Sequence, residues 1–164
     1  MRYAIALCRQ RVTDRLEFYL ADATKDENLD ADLLLVMDVI EHVEDFPGFL
    51  HGLLGKARFA VFHIPLDMSV LHVLYPPALM ASRKHFGHIH YFTYETAFSA
   101  LVDAGYKVFD SFYTSAPLQR PGLTLSTIPL YLSRLARRAL YVVRPSLAAK
   151  LLTGTSILVL TTTK

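Results

Sequence analysis

The sequence predicts an α/β fold in which helices pack on a mostly parallel sheet. The chain has 164 residues, of which 52% are hydrophobic, and this suits a single globular domain with its own core. Short apolar runs alternate with segments of helical periodicity, as in βα units. The clearest run, Leu33 to Met37, has five consecutive apolar residues and leads to Asp38, which favours a strand buried on both faces.

The first elements follow from local pattern. Residues 3–11 have apolar side chains at helical spacing and polar ones between them, and so predict a short amphipathic helix. Residues 16–21 predict a strand that ends at Asp22. A polar connection leads to the second predicted strand at 32–38.

The spacing of apolar residues, together with Pro and Gly at the ends of segments, predicts the helices and strands in the rest of the chain. The predicted elements, in order, are a helix at about 46–56, a strand at 57–64 stopped by Pro65, a mixed or irregular region at 66–92, a helix at about 94–104 capped by Thr93, a strand at 106–113, a loop marked by Pro117, Pro121 and Gly122, a basic amphipathic helix at 127–143 ended by Pro145, and a last strand at 156–163.

Charge is distributed unevenly along the chain. Residues 1–110 carry 10 Lys and Arg against all 15 Asp and Glu, whereas residues 111–164 carry 7 Lys and Arg and no acid. This asymmetry indicates that the C-terminal third meets an anionic surface, which is a membrane, an acidic substrate or the acidic half of the protein itself. The basic face of 127–143 is the expected membrane contact, and no nucleic acid partner is expected.

The same composition indicates the compartment. No apolar run approaches the ~20 residues that span a bilayer, and no secretory signal is recognisable. The single cysteine, Cys8, excludes an internal disulfide and fits a buried thiol. A cytoplasmic protein, peripheral to a membrane at most, is therefore expected.

Acidic residues follow two predicted strands. Asp22 and Asp38 each end an apolar run, and the carboxyl ends of strands are where open α/β sheets bind ligands. A carboxylate there accepts hydrogen bonds from a ligand amine or hydroxyl group. The alternative is that each is an ordinary loop acid or helix cap.

Asp38, Glu41 and His42 share one face if a helical turn begins at Asp38, since residues at i, i+3 and i+4 are neighbours. These side chains suit a divalent metal, but a further ligand would have to come from His63 or His90. The alternative is that Glu41 and His42 line a pocket or cap the turn. We assign no metal site from the sequence.

The remaining histidines give a weaker signal. His85, His88 and His90 are spaced like metal ligands, but the aromatic residues between them favour a loop that packs over a site. Any one of these imidazoles is a candidate general base, because it titrates near neutral pH. His63 is expected at the carboxyl edge of the sheet, where it lines a pocket or is simply a half-buried histidine.

Several of these segments together resemble one family. Asp38-Val-Ile-Glu-His-Val43 resembles the segment after the fourth strand of class I S-adenosylmethionine-dependent methyltransferases, in the subgroup that includes ubiquinone-biosynthesis O-methyltransferases. The other matching segments are Ala4–Cys8, similar to the helix after the second strand, Leu20–Ala23, similar to the end of the third strand, and Gly87–Thr93 with Ala104–Tyr106, similar to the region between the fifth and sixth strands.

The resemblance implies a Rossmann-like sheet of strand order 3-2-1-4-5-7-6 with an antiparallel last strand. It also implies a single but partial domain over 1–164, N-terminally truncated, with the first two strands and their glycine-rich turn absent and a basic helical insertion at about 117–150. Loss of those strands leaves an open sheet edge, which favours pairing with another chain. A homo-oligomer joined through that edge is therefore expected.

The family's chemistry is methyl transfer from S-adenosylmethionine to a small-molecule or lipid-like acceptor. The residues assigned are Asp22, Ala23, Asp38 and Val39 for the cofactor, Glu41 and His63 for the substrate, and His42 and His90 as catalytic residues. Two alternatives remain open from the sequence. One is a non-catalytic methyltransferase-like domain that needs a partner or self-association, and the other is a peripheral membrane-binding module.

Overall fold

The computed structural model describes residues 2–115, 128–152 and 154–163. Within these residues the chain forms seven helices and four strands, together with a 3₁₀ turn at Ile40–His42. Their bounds in chain order are α1 Arg2–Arg9, β1 Ala31–Met37, α2 Phe46–Leu53, β2 Ala57–Pro65, α3 Val70–Leu74, α4 Pro76–Phe86, α5 Tyr94–Asp103, β3 Lys107–Ser115, α6 Ile128–Val143, α7 Pro145–Leu151 and β4 Thr155–Thr162.

The four strands form one mixed sheet in the order β1-β2-β4-β3. β1 is parallel to β2, and β4 is antiparallel to both of its neighbours, β2 and β3. This order is the one that the family resemblance implies for its fourth, fifth, seventh and sixth strands. The parallel β1–β2 pair brings the carboxyl ends of these two strands to the same edge, where ligands bind in open α/β sheets.

Polar side chains fix where several helices begin. The carboxylate of Asp45 accepts a hydrogen bond from the backbone of Gly48 at the start of α2, and Ser69 caps α3 in the same way. Thr93 caps α5 as predicted, through reciprocal hydrogen bonds with Thr96. These caps satisfy backbone N–H groups that have no partner inside the helix.

The hydrophobic core lies on one face of the sheet. Phe62 and Ile64 of β2 and Ile157 of β4 are fully buried, and they belong to one cluster with Leu50 of α2 and Leu101 of α5. Phe62 also makes an edge-on contact with the ring of Tyr106, whose hydroxyl donates to the carbonyl of Leu50. Helices α2 and α5 are thereby anchored on the sheet beneath the edge where β1 and β2 end.

The opposite face of β1 is exposed, so the prediction of a strand buried on both faces is wrong. Leu33, Leu35 and Met37 are 49%, 61% and 45% exposed, whereas Val36 is buried. In the described sheet β1 is an edge strand whose single neighbour is β2. Its apolar residues lie on two faces, of which one packs on the core and the other is exposed. An apolar run cannot show whether a second layer covers a strand.

The predicted strand at 16–21 is also wrong. The structure forms only an isolated bridge between Thr13 and Leu16, and Tyr19 and Leu20 are largely exposed. A strand is stable only when a neighbour satisfies its backbone groups, and no described strand lies beside this segment. Asp22 therefore follows a loop and not a strand.

Other differences concern helices. The region 66–92, predicted as mixed or irregular, contains both α3 and α4, and Pro145 begins α7 in addition to ending the basic helix. The predicted loop at 117–122 lies outside the described residues. No helix in the described part of the chain is long and apolar enough to cross a membrane.

Helix α6 corresponds to the predicted basic helix at 127–143. The hydroxyl of Tyr141 donates to the backbone carbonyl of Tyr113, so this side of the helix faces the protein. Leu135 and Val142, two apolar residues of this helix, are 56% and 74% exposed. Contact of this segment with an anionic membrane surface stays a prediction.

Candidate functional site

The first part of the site is a hydrogen-bonded chain at the end of β1. Asp38 has a left-handed backbone conformation with φ 51°, and its N–H donates to the carbonyl of His63. Its carboxylate lies 2.7 Å from Nδ1 of His63, and Nε2 of His63 lies 2.9 Å from the hydroxyl of Thr114. Because a carboxylate only accepts, Nδ1–H donates to Asp38, and Nε2 faces the hydroxyl of Thr114 within hydrogen-bonding distance.

The turn after β1 carries Glu41 into the interior. Val39 packs against the core, and Ile40–His42 form the 3₁₀ turn. Glu41 is 0% exposed, and neither of its carboxylate oxygens has a hydrogen-bond partner. Burial raises the pKa of the Glu41 carboxyl group above its ordinary value, since a buried charge loses its hydration.

Two imidazoles stand beside this carboxylate. The rings of His42 and His88 meet edge to face with centroids 5.0 Å apart. Nδ1 of His42 lies 3.2 Å from the carbonyl of Gly87, and Nδ1 of His88 lies 2.5 Å from the carboxylate of Asp67. Both acceptors lack protons to donate, so each Nδ1 carries the hydrogen and each Nε2 presents a lone pair. Nε2 of His42 is 3.8 Å from Oε1 of Glu41.

The segment from Gly87 to His90 is tied to the same turn. Gly87 ends α4 with φ 80°, a conformation that favours glycine, and it places its carbonyl on His42. The backbone N–H groups of Ile89 and His90 both donate to the carbonyl of Glu41. These bonds hold His88 over the buried carboxylate.

His90 holds the turn from the other side. Its Nε2–H donates to the carbonyl of Val43 at 2.9 Å, and its ring packs edge-on against Phe46. With Nε2 engaged in this way, Nδ1 is the nitrogen on which His90 can accept a proton.

Asp22 and Ala23 lie in an exposed turn before β1. The side chain of Asp22 accepts hydrogen bonds from the backbone and hydroxyl of Thr24, and it pairs with Lys25. These hydrogen bonds lower the pKa of the Asp22 carboxyl group. The structure thus brings Asp38 and His63 together, and Glu41 and His42 together, while Asp22 bonds within its own turn.

Sequence reasoning missed Asp67 and Thr114. Asp67 follows Pro65 and Leu66 at the carboxyl end of β2, the same kind of position that marked Asp38 after β1, so this signal was available. Thr114 lies within β3, and nothing in its local sequence distinguishes it. His88 is one of the three candidate histidines, and its contacts with Asp67 and with the ring of His42 distinguish it from the other two.

A cavity of about 400 Å³ has a lining that shares no residue with the site described above. It is lined mostly by apolar side chains of α3, by the start of α5 and by α7, with Glu95 and Lys150 at 2.7 Å from each other on one side. The short segment Asp67–Ser69 joins the two regions, because Asp67 bonds to His88 while Met68 and Ser69 line the cavity.

No protein-family model matches the chain, and no curated protein matches it in sequence. Solved structures match it in fold. One is a chain of the complex between the Haloferax volcanii Trm112 methyltransferase activator and a methyltransferase, with 14% identity, a TM-score of 0.61, and coverage of 97% of this chain and 66% of that one. Another, from Bacillus halodurans, is assigned as a methyltransferase and has 12% identity, a TM-score of 0.55, and coverage of 90% and 78%.

The chain has a class I methyltransferase fold. At these identities the likeness concerns the fold alone. A methyltransferase of Archaeoglobus fulgidus also matches, at 13% identity and a TM-score of 0.45, over 80% of this chain and 58% of that one. The chain thus spans less than two thirds of the length of the archaeal proteins.

Proposed function

We propose that the protein takes part in S-adenosylmethionine-dependent methyl transfer to a small, largely apolar acceptor. The observation that carries this proposal is the placement of Asp38 at the carboxyl end of β1 within a methyltransferase fold. The Asp38 carboxylate is about half exposed and is oriented by His63, so it fits a cofactor that offers amine or hydroxyl donors.

Asp38 and Val39 would form the floor of the cofactor pocket, with Asp22 and Ala23 as further contacts to the cofactor. The cofactor supplies an electrophilic methyl group when bound. The chain's own contribution is to position the acceptor, because alignment of the reacting atoms accounts for a large share of such rate enhancement. His42 through Nε2 and His90 through Nδ1 are the nitrogens that can take a proton from the acceptor.

The acceptor is proposed to occupy the cavity near α3. Its size is within the range of ordinary small-molecule pockets, about 300–1,000 Å³, and its lining favours an apolar body. The Glu95–Lys150 pair offers one polar contact for orientation. Neither Glu41 nor His63 lines this cavity. His63, whose side chain is 19% exposed, would meet the acceptor at the sheet edge, whereas the completely buried Glu41 would do so only after a movement of its side chain.

Calorimetry with S-adenosylhomocysteine tests this proposal. The full chain is expected to bind it, and Asp38→Ala is expected to bind at least about 10-fold more weakly, the loss of one charged hydrogen bond. Asp14→Ala, which removes an exposed acid far along the chain from β1, is the matched control and is expected to bind normally. Absence of binding by the full chain would exclude catalysis by this chain alone.

A second candidate function is that of a domain completed by association with another copy. The outer edge of β1 is unpaired in the described sheet, and Leu33, Leu35 and Met37 form an apolar stripe beside it. Such an edge is a template for strand pairing.

Leu35→Lys is expected to abolish this association, because it places a charge at the centre of the exposed stripe. Size-exclusion chromatography with light scattering should show a dimer for the unaltered protein and a monomer for the variant. Val102→Lys changes an apolar residue of similar exposure on α5 and should leave the dimer intact. A monomeric unaltered protein would contradict the proposal.

A further inference from the structure

We propose that the exposed faces of α6 and α7 form a docking surface for an anionic membrane, on which the two helices lie without crossing it. The apolar part of this region, here called the α6–α7 surface, consists of Leu135, Val142 and Val143 of α6 and Leu147 and Leu151 of α7. The proposal is independent of methyl transfer, because none of these residues belongs to the candidate site or lines the cavity.

Helix α6 is fixed to the protein by one side and presents apolar residues on the other. The hydroxyl of Tyr141 donates to the carbonyl of Tyr113 on β3, and this contact defines the inner side of the helix. Leu135 and Val142 are separated by about two helical turns, so they lie in one row on the outer side. Both side chains, and that of Val143, are more than half exposed. A helix of a soluble protein normally turns its apolar row toward the core, so the outward row of α6 offers an apolar surface to a partner outside the fold.

Helix α7 is anchored in the same way. Ala148 and Ala149 are buried, and Ala149 belongs to the hydrophobic core. Leu147 and Leu151 are neighbours at i and i+4 on the other side of this helix, and each is more than a third exposed. A single residue, Arg144, connects α6 to α7. This short connection keeps the exposed apolar residues of the two helices near one another.

The charges beside this surface favour an anionic membrane as the partner. Arg138 lies between Leu135 and Val142 on the outer side of α6, and both Arg138 and Arg144 are exposed. Within the described part of the chain, neither arginine forms an ion pair with a carboxylate. Residues 111–164 contain 7 Lys and Arg and no acid, so this segment has no carboxylate that lipid phosphates would repel. Exposed apolar side chains flanked by basic ones are typical of helices that lie in the membrane interface, where the arginine stems follow the apolar surface and the guanidinium groups reach the phosphates.

Two other partners fit this surface less well. A second copy that docked through the same face would bring Arg138 and Arg144 of one chain toward the same arginines of the other, because a symmetric dimer contact pairs identical patches. A nucleic acid would satisfy the arginines, but it would leave the aliphatic side chains against phosphate and water. Proteins that bind single strands instead combine basic residues with aromatic side chains on which bases stack.

Co-sedimentation of the full chain with vesicles tests the role of charge. Vesicles made of equal parts of phosphatidylcholine and phosphatidylglycerol are expected to bind the protein at least about 10-fold more tightly than vesicles of phosphatidylcholine alone. The double variant Arg138→Gln with Arg144→Gln is expected to weaken binding to the anionic vesicles by about 10-fold or more. The matched control, Arg9→Gln with Arg11→Gln, removes two exposed arginines outside this surface and should change binding by less than about 2-fold.

Tryptophan fluorescence tests whether the apolar residues enter the bilayer, since the chain contains no tryptophan of its own. Val143→Trp places a single fluorophore on the α6–α7 surface, and its emission is expected to move to shorter wavelength on anionic vesicles, because indole rings settle in the membrane interface. Val102→Trp, at an exposed apolar position on α5, is the matched control and should show no such shift. Val142→Glu is expected to weaken vesicle binding by about 10-fold or more and to leave the circular dichroism spectrum unchanged, since this side chain is exposed.

Equal binding to both kinds of vesicle, or no binding to either, would overturn the proposal. An unshifted Val143→Trp emission, or vesicle binding that Val142→Glu leaves intact, would overturn it as well. If Val142→Glu converts a dimer to a monomer without altering vesicle binding, the surface is a contact with a second copy and the proposal is wrong. Binding of S-adenosylhomocysteine is measured without vesicles, so the proposed methyl transfer and the membrane contact fail independently.

Discussion

Phe62→Ala is expected to lower the free energy of unfolding by about 3–5 kcal/mol, the range for truncating a fully buried aromatic side chain. Phe62 is 0% exposed at the centre of β2 and contacts the ring of Tyr106. The substitution removes apolar contacts and leaves a cavity between the sheet and the helices that it supports. Urea denaturation followed by circular dichroism measures the change as a lower midpoint.

Phe109→Ala is the matched control on β3. The same atoms are removed, but Phe109 is 66% exposed and contacts Phe59 only loosely, with ring centroids 6.2 Å apart. Its expected cost is below about 1 kcal/mol. If the two substitutions cost the same, the assignment of the core to one face of the sheet would be wrong.

Glu41→Gln is expected to stabilise the protein at neutral pH by about 1–2 kcal/mol, because it removes a buried carboxylate whose oxygens accept no hydrogen bond. Glutamine keeps the shape of the side chain, so the turn at Ile40–His42 is not disturbed. Urea denaturation at pH 7 measures the gain. A loss of stability in this variant would show that the carboxylate has a stabilising partner in the folded state.

The pH dependence gives a second measurement of the same group. Burial raises the pKa of Glu41 in the folded state, so the folded state holds a proton that the unfolded state has already released. Stability therefore falls as pH rises from the unfolded pKa through the raised folded pKa, and Glu41→Gln should lack this fall. Glu95→Gln is the control of opposite sign, since hydrogen bonding by Lys150 lowers the pKa of Glu95 and its contribution is lost as pH falls.

The pattern of apolar residues along the chain was sufficient to predict the four strands of the described sheet. The runs at 32–38, 57–64, 106–113 and 156–163 all became strands within a few residues of their predicted bounds, because each is a short segment rich in apolar, β-branched or aromatic residues. Thr93 was likewise identified as a cap from sequence. Leu16–Ala21 carries a similar pattern and failed, since strand formation also requires a neighbour that local sequence does not reveal.

In the candidate site, too, some features were predictable from local sequence and others depend on how distant segments pack. The sequence by itself determined that an acid, Asp38, ends a strand and that Glu41 and His42 follow it on one turn. Only the tertiary structure decided that Glu41 is buried without a partner, and that His88, held by Asp67, stands beside it. These contacts join residues up to 47 positions apart, as Glu41 and His88 are, and depend on how β2, α4 and the following segment pack. Burial and hydrogen bonding between distant segments are set by packing, and one strand's residues cannot encode them alone.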